Sequence, residues 1–188
     1  LQKSSGLFDR KAWLLLELNG VDAKNFMQGM VSADLEKIKI NQIQPALICQ
    51  SKGKIQHVLE IWRTSQQSWV LSSYPGEGFQ VANLLDKFHI RENFEFQLLT
   101  PSFLRLDLRG PRSRNVLEIL ELNGSSTTSE TSGIDKKILC TKHQNPVVEH
   151  YSLLIPGEDV ENVANRLLDQ EHCGWVGWDA WDEMDLIE

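Results

Sequence analysis

An α+β fold of two split units is predicted by a strand–glycine–helix plan that occurs twice and by a hairpin inside the first copy. The first copy opens with Leu14-Leu15-Leu16-Glu17-Leu18-Asn19-Gly20, an apolar run stopped by Asn-Gly, and apolar side chains then recur at helical spacing from Val21 to Met30. The second is Phe103-Leu104-Arg105-Leu106-Asp107-Leu108-Arg109-Gly110 followed by Pro111 to Leu120, with proline where a first helical turn accepts it. Between them, Ile43 to Gln50 and Ile55 to Trp62 are β-rich runs joined at Gln50-Ser51-Lys52-Gly53-Lys54, the pattern of an antiparallel hairpin.

Taken in order, Leu1 to Asp9 is polar and glycine-containing and is expected to be a lead-in segment, with Gly6-Leu7-Phe8 tucked against the first strand. After the first helix, Ser32-Ala33-Asp34 precedes Leu35-Glu36-Lys37-Ile38, so Asp34 reads as a cap on a short helical turn. In the hairpin, period two places Ile55, His57, Leu59 and Ile61 on one face and Gln56, Val58, Glu60 and Trp62 on the other. Ser68 to Ser73 gives a third strand that Tyr74-Pro75-Gly76 ends. Glu77 to Phe88 follows as a helix, with Phe79, Val81 or Ala82, Leu85 and Phe88 at core spacing, and Phe94 to Leu99 alternates as a strand.

The plan restarts at Thr100-Pro101. Leu122 to Gly133, rich in Ser and Thr and without period, is expected to be a mobile loop. Strands are expected near Lys137 to Thr141 and Val147 to Ile155, and Pro156-Gly157-Glu158-Asp159 starts a helix with a stripe of Val160, Val163, Ala164, Leu167 and Leu168. Its Glu158, Asp159 and Glu161 complement the helix dipole. Each half thus follows a split plan resembling a ferredoxin-like fold.

The 188 residues suffice for one large or two small cores. Hydrophobic residues at 41% and charged residues at 24% are ordinary globular usage, and no apolar run approaches the roughly 20 residues of a membrane span. A net charge of -7 disfavours nonspecific nucleic-acid binding. Arg105, Arg109, Arg112 and Arg114 form either a basic patch or, by the plainer reading, a solvated face. Cys49, Cys140 and Cys173 are few, odd in number and widely spaced, and no signal peptide is visible. A reducing cytoplasm is the expected location.

Standard motifs are missing: there is no Walker loop, dinucleotide glycine fingerprint, His-Glu-x-x-His or paired Cys-x-x-Cys. Cys140 and His143 with His150, or with His172-Cys173, fit no usual zinc spacing, so no metal is expected. His57 has the chemistry of a general base near neutral pH, but no carboxylate is placed beside it by sequence and a packed structural histidine is the plainer reading. Asp179, Asp182, Glu183, Asp185 and Glu188 recur as a solvated helical face would, and Trp175, Trp178 and Trp181, three apart, either stack on a flat ligand or bury one side of a helix.

Three blocks in succession carry a family resemblance: Asn25-Phe26-Met27-Gln28-Gly29-Met30-Val31-Ser32-Ala33-Asp34, Gln50-Ser51-Lys52-Gly53-Lys54-Ile55, and Leu108-Arg109-Gly110-Pro111-Arg112-Ser113-Arg114. With Gly177-Trp178-Asp179-Ala180 they resemble the folate-binding fold of the glycine-cleavage T-protein (aminomethyltransferase) superfamily, most nearly its YgfZ-like branch, tied to iron-sulfur cluster maintenance and tRNA modification. The resemblance implies two ferredoxin-like units, 1–100 and 101–188, without the family's C-terminal barrel. It implies tetrahydrofolate as ligand and iron-sulfur proteins as clients, with no direct nucleic-acid or membrane partner. The Asp pair that follows the hairpin in true aminomethyltransferases is matched here by His57 and Val58, which implies lost transferase activity or a catalytic role for His57. A pterin-binding strand Asn is matched by Ser73, Gln50 lies in the hairpin block of the implied folate site, and Asp185-Leu186-Ile187-Glu188 keeps a family Glu. A carboxylate at Glu188 would accept parallel hydrogen bonds from the amino-pyrimidine edge of a pterin. The chain stops before the branch's Lys-Gly-Cys signature.

Overall fold

The computed structural model describes residues 4–120, 138–143 and 148–177. The expected loop from Leu122 to Gly133, the tryptophans Trp178 and Trp181, the acidic run from Asp179 and the family carboxylate Glu188 lie outside the described residues. In chain order the first elements are β1 (Ser5–Asp9), β2 (Leu14–Asn19), α1 (Ala23–Gln28), β3 (Gln42–Cys49), β4 (Ile55–Arg63), β5 (Ser68–Ser73), α2 (Gly78–Phe88) and β6 (Glu95–Leu98). They are followed by β7 (Phe103–Arg109), α3 (Ser113–Glu118), β8 (Leu139–Lys142), β9 (His150–Pro156), α4 (Val160–Leu168) and β10 (Cys173–Trp175). The fold is α+β, with two five-stranded sheets among the described residues. Among the described residues no helix is long and apolar enough to cross a membrane.

One compact unit spans residues 12–103. Its sheet runs β3-β4-β5-β2-β6, and β2 is antiparallel to both of its neighbours. Strands β5 and β6 are therefore parallel to each other with β2 between them, and α2 connects them: this is a split β-α-β crossover. Three strands, β3, β4 and β5, form an antiparallel meander between the two helices, and β5 pairs antiparallel with β2. Registers Leu16↔Leu71 and Ile61↔Leu71 align the aliphatic positions of three strands on one face. There they join Ala23 and Met27 of α1 and Val81 and Leu85 of α2 in one core, each large side chain contributing about 1.5–3 kcal/mol by leaving water. Asp34 caps the short turn Leu35–Lys37 as expected, its carboxylate accepting from the Glu36 amide.

Helix α2 corrects one expectation. Its buried positions are Gly78, Val81 and Leu85, whereas Phe79 and Phe88 are 68% and 49% exposed. The start of the helix explains the choice of face. A Cβ at Gly78 would collide with the Leu14 side chain, so the helix backbone lies directly on β2 there, and the adjoining Phe79 is turned outward.

The other compact unit contains residues 4–11 together with the described residues from 104 onward. Its sheet runs β10-β1-β7-β9-β8. The expected lead-in is thus a strand: β1 pairs parallel with β10 and antiparallel with β7, and Leu7 opposes both Trp175 and Leu108. Its five residues carry no readable period, and its partners in β7 and β10 lie about a hundred positions or more away. The compact units accordingly differ from a division into 1–100 and 101–188 in where the N-terminal strand belongs. Leu7, Leu108, Leu153, Ile155, Val163 and Leu167 form the core.

Candidate functional site

The hairpin between β3 and β4 closes through a Gln50 amide bond to the Lys54 carbonyl (2.8 Å) and a Gly53 amide bond to the Gln50 carbonyl (2.8 Å). Gln50, Lys52 and Lys54 are exposed on it. From there the strand alternates as the sequence requires: His57 and Leu59 are buried, and Val58 between them is 38% exposed on the opposite face. Ser73, at the end of β5, opposes Leu59. His57 and Ser73 are therefore diagonal neighbours on one face, while Val58 is not part of that grouping.

Two polar atoms on this face are buried without a hydrogen-bond partner among the described residues, His57 Nε2 and Ser73 Oγ. The other ring nitrogen is engaged. His57 Nδ1 lies 3.2 Å from Glu77 Oε2, so a carboxylate that the sequence does not place there stands beside the histidine. Glu77 reaches it from the residue preceding α2, twenty positions along the chain, across a turn whose Glu77 amide donates to the Tyr74 carbonyl (3.1 Å). Beside that turn the Trp13 and Tyr74 rings lie 4.3 Å apart. The structure thus brings together His57, Ser73 and Glu77, with Gln50 on the hairpin turn; of Glu188 it says nothing.

A second polar cluster lies in the unit of β7. Arg105 and Arg109, read as a solvated face, are each 1% exposed; only Arg112 and Arg114 face outward. Asp107 sits at the centre, fully buried. Its Oδ2 accepts from Arg10 Nε (2.9 Å) and Arg105 Nη2 (2.9 Å), and its Oδ1 from Arg105 Nε (2.8 Å) and Ser152 Oγ (2.6 Å). Burial raises the pKa of this carboxyl, but the Arg105 charge, with His150 and Arg10, outweighs it and holds the group well below the usual range. The Ser152 hydroxyl has one proton, already given to Asp107, and it accepts from Arg105 Nη2 (2.9 Å). His143 Nε2, 2.7 Å away, must therefore be the donor. His143 stacks on His150 with ring centroids 3.6 Å apart. Burial, His150 and the Arg105 charge push its pKa down to about 2, which keeps it neutral.

This cluster is a buried ion network. No group of three His, Cys, Asp or Glu side chains that could hold a metal exists among the described residues. Burial pushes the Cys140 thiol up to about 12, which works against the thiolate a zinc ligand requires.

Residues 1–131 match the GCVT N-terminal domain family. An aminomethyltransferase of Desulfitobacterium hafniense is 30% identical over 125 residues, which are 64% of this chain and 33% of that protein. One of Exiguobacterium sibiricum is 25% identical over 178 residues, 88% of this chain and 47% of that protein. The crystal structure of the glycine cleavage system aminomethyltransferase T from Bartonella henselae superposes with a TM-score of 0.83 at 21% identity, covering 97% of this chain and 50% of that one, which is a likeness of fold. The chain thus spans between a third and a half of the length of these relatives. With the domain match covering well over half of its residues, the chain belongs to the GCVT N-terminal domain family.

Proposed function

We propose that this chain is a tetrahydrofolate-binding protein of the YgfZ-like kind, without aminomethyl transfer, that serves iron-sulfur proteins or tRNA modification in the cytoplasm. One observation carries the reading. At the two hairpin positions where the family resemblance implies an Asp pair, His57 is turned onto the face shared with the core and Val58 is an apolar residue on the other face. No pair of carboxylates is available there to act on folate and an aminomethyl group together. Binding groups remain: Ser73 and His57 on one face, Gln50 at the turn, and Glu188 for the amino-pyrimidine edge.

A second reading, an aminomethyltransferase-like enzyme that moves a one-carbon group to tetrahydrofolate, is favoured by a different observation. Glu77 stands against His57 Nδ1, the arrangement by which a carboxylate orients a histidine base.

Titration with tetrahydrofolate under reducing conditions, followed by tryptophan fluorescence and by melting temperature, tests binding, since a specific ligand raises the melting temperature by mass action. Saturable binding that weakens in Ser73→Ala and Glu188→Ala, with no aminomethyl transfer, is expected. Turnover would replace this reading with the second. No binding to a folded chain would leave an interaction module that uses no folate.

A further inference from the structure

We propose that Glu77 is a positioning residue for His57: it fixes the imidazole as the Nδ1–H tautomer, so that Nε2 is presented as a hydrogen-bond acceptor to a ligand carrying an N–H or O–H donor. The inference rests on the reading above that this face binds a ligand, and it adds the polarity of the group the face takes.

Three observations converge on it. First, Glu77 is the residue before α2, where a short Asp, Asn, Ser or Thr side chain would cap the helix amides. It makes no such side-chain capping bond. Its Oε2 lies against His57 Nδ1 instead, at 3.2 Å. Second, the position of Glu77 is set by packing. A Cβ at Gly78 would overlap the Leu14 side chain, so the first turn of α2 rests on β2 and cannot slide. The amide of Val81 donates to the Glu77 carbonyl (3.0 Å), anchoring the same residue to the helix. Third, His57 is 8% exposed, and its Nε2 is a buried atom with no partner among the described residues.

The chemistry follows from donor counting. An ionised carboxylate only accepts hydrogen bonds, so the nitrogen facing it must carry the proton. In a neutral ring the other nitrogen is then a bare lone pair. A buried acceptor without a donor is disfavoured, and a ligand N–H or O–H removes that deficit, whereas a ligand carbonyl or carboxylate would oppose one lone pair with another. The Ser73 hydroxyl, also buried and unpartnered among the described residues on the same face, is the neighbouring group able to donate.

The test is long-range nitrogen–proton correlation NMR on protein labelled at its histidine rings, under alkaline conditions, with His57→Gln identifying the signal. The Nδ1–H tautomer is expected in the wild type. Glu77→Gln should keep it, because the amide oxygen still accepts, and Glu77→Ala should release the ring to the Nε2–H form that free imidazoles prefer. A side chain that merely supports the fold would leave the tautomer unchanged. An Nε2–H ring in the wild type overturns the inference. So does an unaltered tautomer in Glu77→Ala, and, should Glu77→Ala fail to fold, loss of the Nδ1–H tautomer in Glu77→Gln overturns it as well. Addition of tetrahydrofolate separates the two readings. The Nε2 resonance is expected to move in step with the fluorescence titration. Fluorescence binding without any movement of that resonance sinks this inference and leaves folate binding standing, whereas the expected tautomer in a chain that binds no folate sinks the proposed function and leaves Glu77 as the residue that orients His57.

Discussion

At the scale of single residues, Asp107 is the most consequential side chain of its unit. It is the carboxylate in which Arg10, Arg105 and Ser152 meet, at zero exposure. Asp107→Asn would leave two guanidiniums facing an amide in the interior, and removing one partner of a buried ion pair costs about 3–5 kcal/mol. Urea unfolding at neutral pH should therefore show a loss of that size; a loss below about 1 kcal/mol would mean that the cluster is solvated. The pH dependence has a definite sign. The folded Asp107 titrates well below its ordinary value, so on acidification the unfolded chain takes up the proton first. Its stabilisation is complete above about pH 4–5 and is lost as pH falls through the depressed folded value. His143 acts in the same direction over a higher window: the unfolded imidazole protonates near pH 6.5, while the folded one stays neutral down to about 2. Stability should thus begin to fall below about pH 6.5, with His143→Gln flattening the upper part of the decline and Asp107→Asn the lower part.

At the scale of elements, the two strand–glycine–helix junctions obey one steric rule. Gly20 has φ +153° and a Cβ there would overlap the Asn93 carbonyl and Phe94; Gly110 has φ +142° and would meet Ser5 Cα at 2.7 Å. In each case the helix begins with a bond back to the glycine carbonyl, from Ala23 (3.3 Å) and from Ser113 (3.1 Å). Gly20→Ala combines backbone strain with overpacking and should cost about 2 kcal/mol or more. Gly76, at φ +85° but with open space around it, has only the first problem, so Gly76→Ala should cost about 1 kcal/mol. Equal melting temperatures for the two variants would remove the steric part of this account. The repeat was legible in the sequence because Asn19-Gly20 and Arg109-Gly110 punctuate strongly alternating or apolar runs, and Ser68–Ser73 was read to the residue for the same reason. On α2 the buried Val81 and Leu85 are legible from their spacing, whereas Phe79 and Phe88 mislead because they have core chemistry, and the contact of Gly78 with Leu14 turns them outward. The contact of Glu77 with His57 is not legible in the sequence because it crosses from a strand to a helix start. For Arg105 and Arg109 a signal did exist: an acid between two arginines at period two, on a strand whose other face is leucine, describes an internal ion network better than a solvated face.

At the scale of the whole molecule, the chain's order and its compact units do not coincide. Ser5–Asp9 pairs with β7 and β10, and Arg10, one residue further, supplies one of the guanidiniums on Asp107. No local pattern in five residues announces a strand whose partners, β7 and β10, come about a hundred positions or more later, which is why this part of the architecture was not legible. The consequence is that a change near the N-terminus should be felt in the residues from 104 onward. Leu7 is the probe, since it is fully buried and opposes Leu108 in the register. Truncating a buried leucine removes its transfer free energy and leaves a cavity, so Leu7→Ala should cost its unit about 2–5 kcal/mol. Native-state hydrogen exchange resolves where such a loss falls, because amides exchange through the local opening of the unit that holds them. Protection is expected to drop along Phe103–Arg109 and His150–Pro156 and to persist along Leu14–Asn19 and Ser68–Ser73, although the latter strands are nearer in sequence to Leu7 than most of those affected. Loss concentrated in Leu14–Asn19 would instead return the N-terminal segment to the first strand and dissolve the division into units drawn by β1.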